Sequence, residues 1–245
     1  MAVDAQRPGE PSHAAAPTHR RSRRHVSGAR VLGALVLVYA ASPFFERTST
    51  GEYIESAMIT VLFCAAVLAV SARRRTLIVA MVLAVPAVVA KWANHARPDL
   101  VPAFAFLVPG ILCLLYVLLH FMRYIMQARR VTADVLCTGL AAFFMLALAW
   151  AMAYGAVDRL IPGSFMYTAG PESTHAMRGF VSLYFSLVTL CTVGFGDIIP
   201  VSGPARMLAM FEGAAGVIFV AVFVSRLVSL YSAEHTEQPS EPPPR

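Results

Sequence analysis

The chain has 245 residues, of which 58% are hydrophobic and only 14% charged. That composition excludes an ordinary soluble domain, because several apolar runs approach the roughly 20 residues needed to cross a bilayer core of about 30 Å. The net charge of +6 sits mostly in the tails and short connections, where it serves membrane topology and anionic lipid rather than nucleic acid.

Residues 1–29, rich in Pro, Ala, His and Arg and without hydrophobic periodicity, read as a disordered basic tail. Arg20, Arg21, Arg23 and Arg24 ahead of the short run Val31 to Ala40 also fit a secretory or twin-arginine signal, with Val38-Tyr39-Ala40 as its cleavage site. Apolar segments at about 31–45, 53–71, 76–92 and 101–122 predict a four-helix membrane region over 30–130. Two more, at about 132–156 and 204–230, enclose a shorter amphipathic stretch at about 179–191, and together they make a second unit over 131–232. Residues 233–245, ending in Glu241-Pro242-Pro243-Pro244-Arg245, read as a short tail too small for a soluble ligand domain. The expected fold is an all-α integral membrane protein of six transmembrane helices. The stretch before the last helix dips in and out as a re-entrant segment, which is tolerated only where it is buried in protein or lines water.

Basic residues set the orientation. Arg7, Arg20, Arg21, Arg23, Arg24 and Arg30 lie in the first tail, Arg73, Arg74 and Arg75 in the second connection, and Arg123, Arg129 and Arg130 in the fourth. Fewer fall on the other side, among them Arg47, Lys91, Arg97, Arg159 and Arg178. The positive-inside rule puts both termini in the cytoplasm. Lys91 is the lone lysine against nineteen arginines, a bias that suggests a GC-rich bacterial genome, and the expected location is the inner (cytoplasmic) membrane. The fourth segment, Val101 to Met122, holds no arginine, so voltage sensing by a charged fourth helix is not expected.

Between the last two segments runs Thr192-Val193-Gly194-Phe195-Gly196-Asp197. Gly194 and Gly196 lack a Cβ and so accept left-handed backbone. Alternating such residues with ordinary ones turns successive carbonyl oxygens toward one line, where they can replace the hydration shell of a cation. Glu212, within the last apolar segment, is a functional candidate because a carboxylate at membrane depth is expensive. It either braces the short helix through Ser186 or Thr189 or serves as a proton-sensitive gate element. Ser182, Ser186 and Thr189 share one face of that helix. Gly213 and Gly216 cost about 1 kcal/mol each in a helix, which points to close packing or a hinge. Cys64, Cys113, Cys137 and Cys191 have no metal or redox spacing and read as small apolar fillers. No transition-metal site and no cofactor is expected.

The run from Tyr184 to Pro200, set between two membrane segments, resembles the pore helix, selectivity filter and exit turn of potassium channels. The resemblance implies passive conduction of K⁺, with the carbonyls of Thr192, Val193, Gly194 and Phe195 as ion sites and the Thr192 hydroxyl closing the innermost one. It implies a homotetramer in membrane lipid, since one chain supplies one edge of the cage. Gly196 and Asp197 end the filter, with Tyr184 as the partner of Asp197, unless that aspartate is simply exposed in a turn. Thr189 and Cys191 support the filter from the helix end, and Gly216 is the better hinge candidate of the two glycines. Two positions depart from the usual pattern: Phe195 stands where tyrosine is common, and Cys191 where threonine is. Both bear on filter stability and on K⁺ against Na⁺, so a weakly selective cation channel is the nearest alternative. An intramembrane hydrolase needs a buried serine and histidine on facing helices; Ser164 and His120 fall at opposite membrane sides, and an enzyme is not expected.

Overall fold

The structure is a computed structural model that describes residues 28–45, 51–70, 74–97, 101, 102, 104–169 and 175–236. Of the expected disordered tails, 1–27, with the arginine cluster at Arg20 to Arg24, and 237–245 lie outside the described residues, while Gly28 and Ala29 already belong to α1 and 233–236 to the last helix. The helices are α1 (Gly28–Phe45), α2 (Gly51–Ala69), α3 (Arg74–Ala96), α4 (Phe104–Gln127), α5 (Ala133–Leu160), α6 (Gly179–Leu190) and α7 (Gly203–Thr236). The strands are β1 (Phe165–Tyr167) and β2 (Ile198–Pro200).

Among the described residues, α3, α4, α5 and α7 are long and apolar enough to cross a membrane, while the apolar stretches of α1 and α2 are shorter. The chain is thus a multi-pass, essentially all-helical protein. Thr132 starts α5 by accepting the Val135 N–H at 3.3 Å, which satisfies one of the donors a helix start leaves open. Asp134 in that first turn does more than favour the helix N-terminus: it accepts the Gly28 N–H at 2.8 Å and the Tyr124 hydroxyl at 2.7 Å. One carboxylate therefore ties α1, α4 and α5 together. α7 continues to Thr236, past the boundary expected at 232, because after Gly216 no proline or glycine follows until Pro239.

α4 packs between α3 and α5, and α1 packs on α2 and α5, so α5 is shared between the first four helices and the last part of the chain. Their common core includes Leu35, Leu62, Leu114, Val117 and Met145, all fully or almost fully buried. A second cluster, Tyr154, Phe165, Met177, Phe185 and Ala205, joins α5 to α6 and the start of α7. Its rings meet edge to face, Tyr154 against Phe185 at 4.8 Å and Phe165 against Phe185 at 5.6 Å, an arrangement favoured by ring quadrupoles.

Two features are absent from the sequence reading. β1 and β2 pair antiparallel, with Phe165 opposite Pro200 and Tyr167 opposite Ile198; the sequence predicts a loop and a simple exit turn there. Arg226 of α7 donates to the carbonyls of Met126 at 2.8 Å and Ala128 at 2.7 Å. A cation at the carbonyl end of α4 is favoured by the helix dipole, and it links the far end of α7 to the first four helices.

Candidate functional site

α6 is a twelve-residue helix packed between α5 and α7. Its last carbonyls are taken up by the segment that follows. The Cys191 N–H donates to Leu187 at 3.0 Å, that of Thr192 to Thr189 at 2.9 Å and that of Val193 to Val188 at 2.9 Å. The hexapeptide thus begins bonded into the end of α6.

Along it, φ is +58° at Thr192, +55° at Gly194 and +80° at Gly196. Left-handed residues alternate with ordinary ones, the pattern that points consecutive carbonyls the same way. Gly194 and Gly196 take this conformation because they lack a Cβ. Thr192 does not have that freedom, and a non-glycine residue held there stores about 1–3 kcal/mol. Sequence reasoning missed this strain, since nothing in the identity of threonine announces it.

The outer end is braced from two directions. Tyr184 donates to Asp197 Oδ2 at 2.8 Å, and its ring stacks on Phe195 with centroids 6.4 Å apart and planes 6° apart. Tyr184 on α6 therefore holds both ends of the Phe195 to Asp197 step. Just after β1, the Thr168 N–H donates to the Asp197 carbonyl at 2.9 Å and the Thr168 hydroxyl to that of Gly196 at 3.0 Å. Thr168 was not singled out by the sequence, because its placement depends on the unforeseen ribbon. Next to it, burial and secondarily the charge of Asp158 push the Tyr167 phenol up to about 12.

Behind α6 lies Glu212, fully buried. It accepts from the Tyr154 hydroxyl and meets the Ser186 hydroxyl, which has a single proton to share between Glu212 and the Ala147 carbonyl at 2.6 Å. Of the two hydroxyls expected near Glu212, Ser186 meets it, while Thr189 contributes its carbonyl to Thr192. Ser182 bonds back to Gly179 at 3.0 Å, so the three hydroxyls of the shared face form no common network. Tyr154 escaped the sequence reading, although a buried carboxylate requires donors and a tyrosine inside an apolar helix is a natural source. Gly216 of α7 lies so close to α6 that a Cβ would stand 2.1 Å from the Leu190 carbonyl oxygen, whereas at Gly213 the nearest atom, the Thr189 oxygen, is 3.9 Å away.

On the isolated chain the whole stretch from Cys191 to Gly196 is exposed, including the apolar side chains of Val193 (53%) and Phe195 (68%). Cys113 is buried, whereas Cys64 and Cys191 are exposed. Among the described residues no cluster of His, Cys, Asp and Glu could hold a metal ion. Ser164 is tied into backbone structure, its hydroxyl donating to Ile161 at 2.6 Å and accepting from Ser202 at 2.9 Å.

The sequence pattern of a family described as "Ion channel" matches residues 135–233. Two pore potassium channel c of Oryza sativa subsp. japonica is 41% identical over 69 residues, which are 28% of this chain and 14% of that protein. Protein LctB of Bacillus caldotenax is 32% identical over 107 residues, 42% of this chain and 78% of LctB. Two-pore potassium channel 4 of Arabidopsis thaliana is 40% identical over 48 residues, 20% of this chain and 17% of that protein. The chain therefore spans only a small part of the plant relatives and most of the bacterial one. No solved structure matches it.

Proposed function

This chain belongs to the potassium channel family, a family of ion channels rather than enzymes, and from that premise we propose that it is a homotetrameric, potassium-selective channel that conducts passively. The observation that carries the reading is the alternation of positive φ at Thr192, Gly194 and Gly196, in a segment bonded to the carbonyl end of a short helix. In this reading the carbonyls of Thr192, Val193, Gly194 and Phe195, with the Thr192 hydroxyl, replace the water shell of K⁺. The carboxyl end of α6 adds a partial charge of about −0.5 e that favours a cation on the axis. Gly196, Asp197, Tyr184, Thr189 and Cys191 support the filter; Glu212 braces α6, and Gly213 and Gly216 are the gating or bracing positions of α7, with Gly216 against the Leu190 carbonyl.

The proposed topology has six spans, with α6 and the filter re-entrant between α5 and α7. Both termini lie in the cytoplasm of a bacterial inner membrane. Gating does not depend on a charged fourth helix, for α4 carries Arg123 only near its inner end.

The test is K⁺ flux through the purified protein in liposomes with Na⁺ as competitor. Potassium-selective flux that vanishes in Gly194→Ala is expected, because a Cβ at a φ of +55° disrupts the carbonyl row. Equal Na⁺ flux would replace the proposal with a weakly selective cation channel, and flux unchanged by Gly194→Ala would place conduction elsewhere.

A further inference from the structure

The oxygens around Glu212 can be counted against the protons available to them. Three oxygen–oxygen contacts lie at hydrogen-bond distance: Tyr154 with Glu212 Oε2, Ser186 with Glu212 Oε1, and Ser186 with the Ala147 carbonyl at 2.6 Å. Each contact needs one proton between its two oxygens. The tyrosine and the serine bring one each, while a peptide carbonyl brings none and an ionised carboxylate only accepts. With Glu212 ionised, two protons would serve three contacts, and one pair of oxygens would face each other lone pair to lone pair. With Glu212 protonated the count closes. Tyr154 donates to Oε2, the carboxyl proton on Oε1 goes to Ser186, and the Ser186 proton goes to Ala147.

The surroundings agree with that count. Glu212 is fully buried, where an unpaired ion is expensive, and among the described residues no cation pairs with it. The titratable side chains that face it are Tyr154 of α5, Tyr39 of α1 and Cys191 at the end of α6, none of them a cation. Tyr39 donates to the Phe144 carbonyl at 3.0 Å, so its proton does not enter the cluster.

We infer that Glu212 is held as the neutral acid and that its proton is a switch. While the proton is bound, Ser186 ties α6 to α5 and α7 together; once it is lost, Ser186 can serve only one of them. Alkaline conditions therefore loosen the helix that carries the candidate filter. The inference rests on the proton count within one chain and not on conduction.

The experiment is infrared spectroscopy of the full-length protein in detergent, comparing the wild type with E212Q, whose amide offers the same donor and acceptor without titrating. At about pH 7, where an ordinary carboxylic side chain is ionised, the wild type is expected to show the C=O stretch of a protonated carboxyl group. That band should be absent from E212Q and should disappear from the wild type at alkaline pH. Beyond that point, hydrogen exchange measured at equal pH is expected to run several-fold faster in α6 of the wild type than in α6 of E212Q. If E212Q does not fold, S186A takes its place: it removes the acceptor of the carboxyl proton and is expected to shift the band. A wild type without the band at neutral pH, a band that neither substitution moves, or α6 exchange that stays unchanged as the band disappears would each overturn the inference.

Discussion

Thr192 and Glu212 are both residues that an unconstrained chain would avoid placing where they are. Thr192 carries its Cβ into left-handed backbone, and Glu212 carries a carboxyl group into a fully buried position. Each is tolerated because its surroundings supply fixed partners: the α6 carbonyls for the first, and the Tyr154 and Ser186 hydroxyls for the second. Glu212→Gln is expected to keep most of the stability, since an amide accepts from Tyr154 and can donate to Ser186. Glu212→Leu leaves the Tyr154 hydroxyl without its acceptor, at about 1–3 kcal/mol, while Ser186 keeps the Ala147 carbonyl. Thermal denaturation in detergent should rank wild type and Gln together and Leu several degrees lower; a Leu variant as stable as wild type would show that the cluster is no brace. At this scale the glycines and the lone carboxylate were legible because each violates an ordinary preference of a membrane helix. Their partners were not, because Tyr154 and Ser186 are 58 and 26 residues away in the chain.

α6 is short, and its position is set by what grips it. α5 supplies Tyr154 and the Ala147 carbonyl; α7 supplies Glu212 and the bare face of Gly216. The approach of Gly216 to the Leu190 carbonyl means that α7 cannot shift there without moving the residue that leads into the hexapeptide. Gly216→Ala is therefore expected to leave assembly intact while reducing K⁺ flux several-fold, since overpacking a tight contact costs about 1–3 kcal/mol. Wild-type flux from an intact Gly216→Ala protein would show that the two helices part easily. The helices themselves were readable from hydropathy, which a long apolar run makes unambiguous. The ribbon was not: strands of three residues show no period, and Ile198–Pro200 ends in a proline, which argues against a paired strand.

The whole molecule exposes apolar side chains on α1 to α5 as well as on α7, as lipid-facing helices do. Besides Val193 and Phe195, the α7 side chains Met210, Phe211, Val217 and Ile218, on the helix that follows the candidate filter, are more than half exposed. Four copies around one axis would cover the filter flank and leave the remaining apolar surface to lipid. Mass measurement on the detergent-solubilised protein is expected to give four chains of 26.5 kDa; a stable monomer that still conducts would refute the assembly. The proposed orientation rests on the arginines alone, because topology depends on sequence-local charge. Copy number entered only through the family resemblance, since contacts between copies leave no period or spacing within one chain.

The β1–β2 pairing has a consequence best put in polymer terms. It closes a loop from Tyr167 to Ile198, and α6 and the hexapeptide both lie inside it. Closing such a loop costs an entropy that grows only with the logarithm of its length, about 0.6 kcal/mol for each doubling. Residues added between β1 and α6 are thus thermodynamically cheap, while the strained turn at Thr192 stays fixed at both ends. The chain can vary its outer connection widely without releasing the geometry of its six central residues.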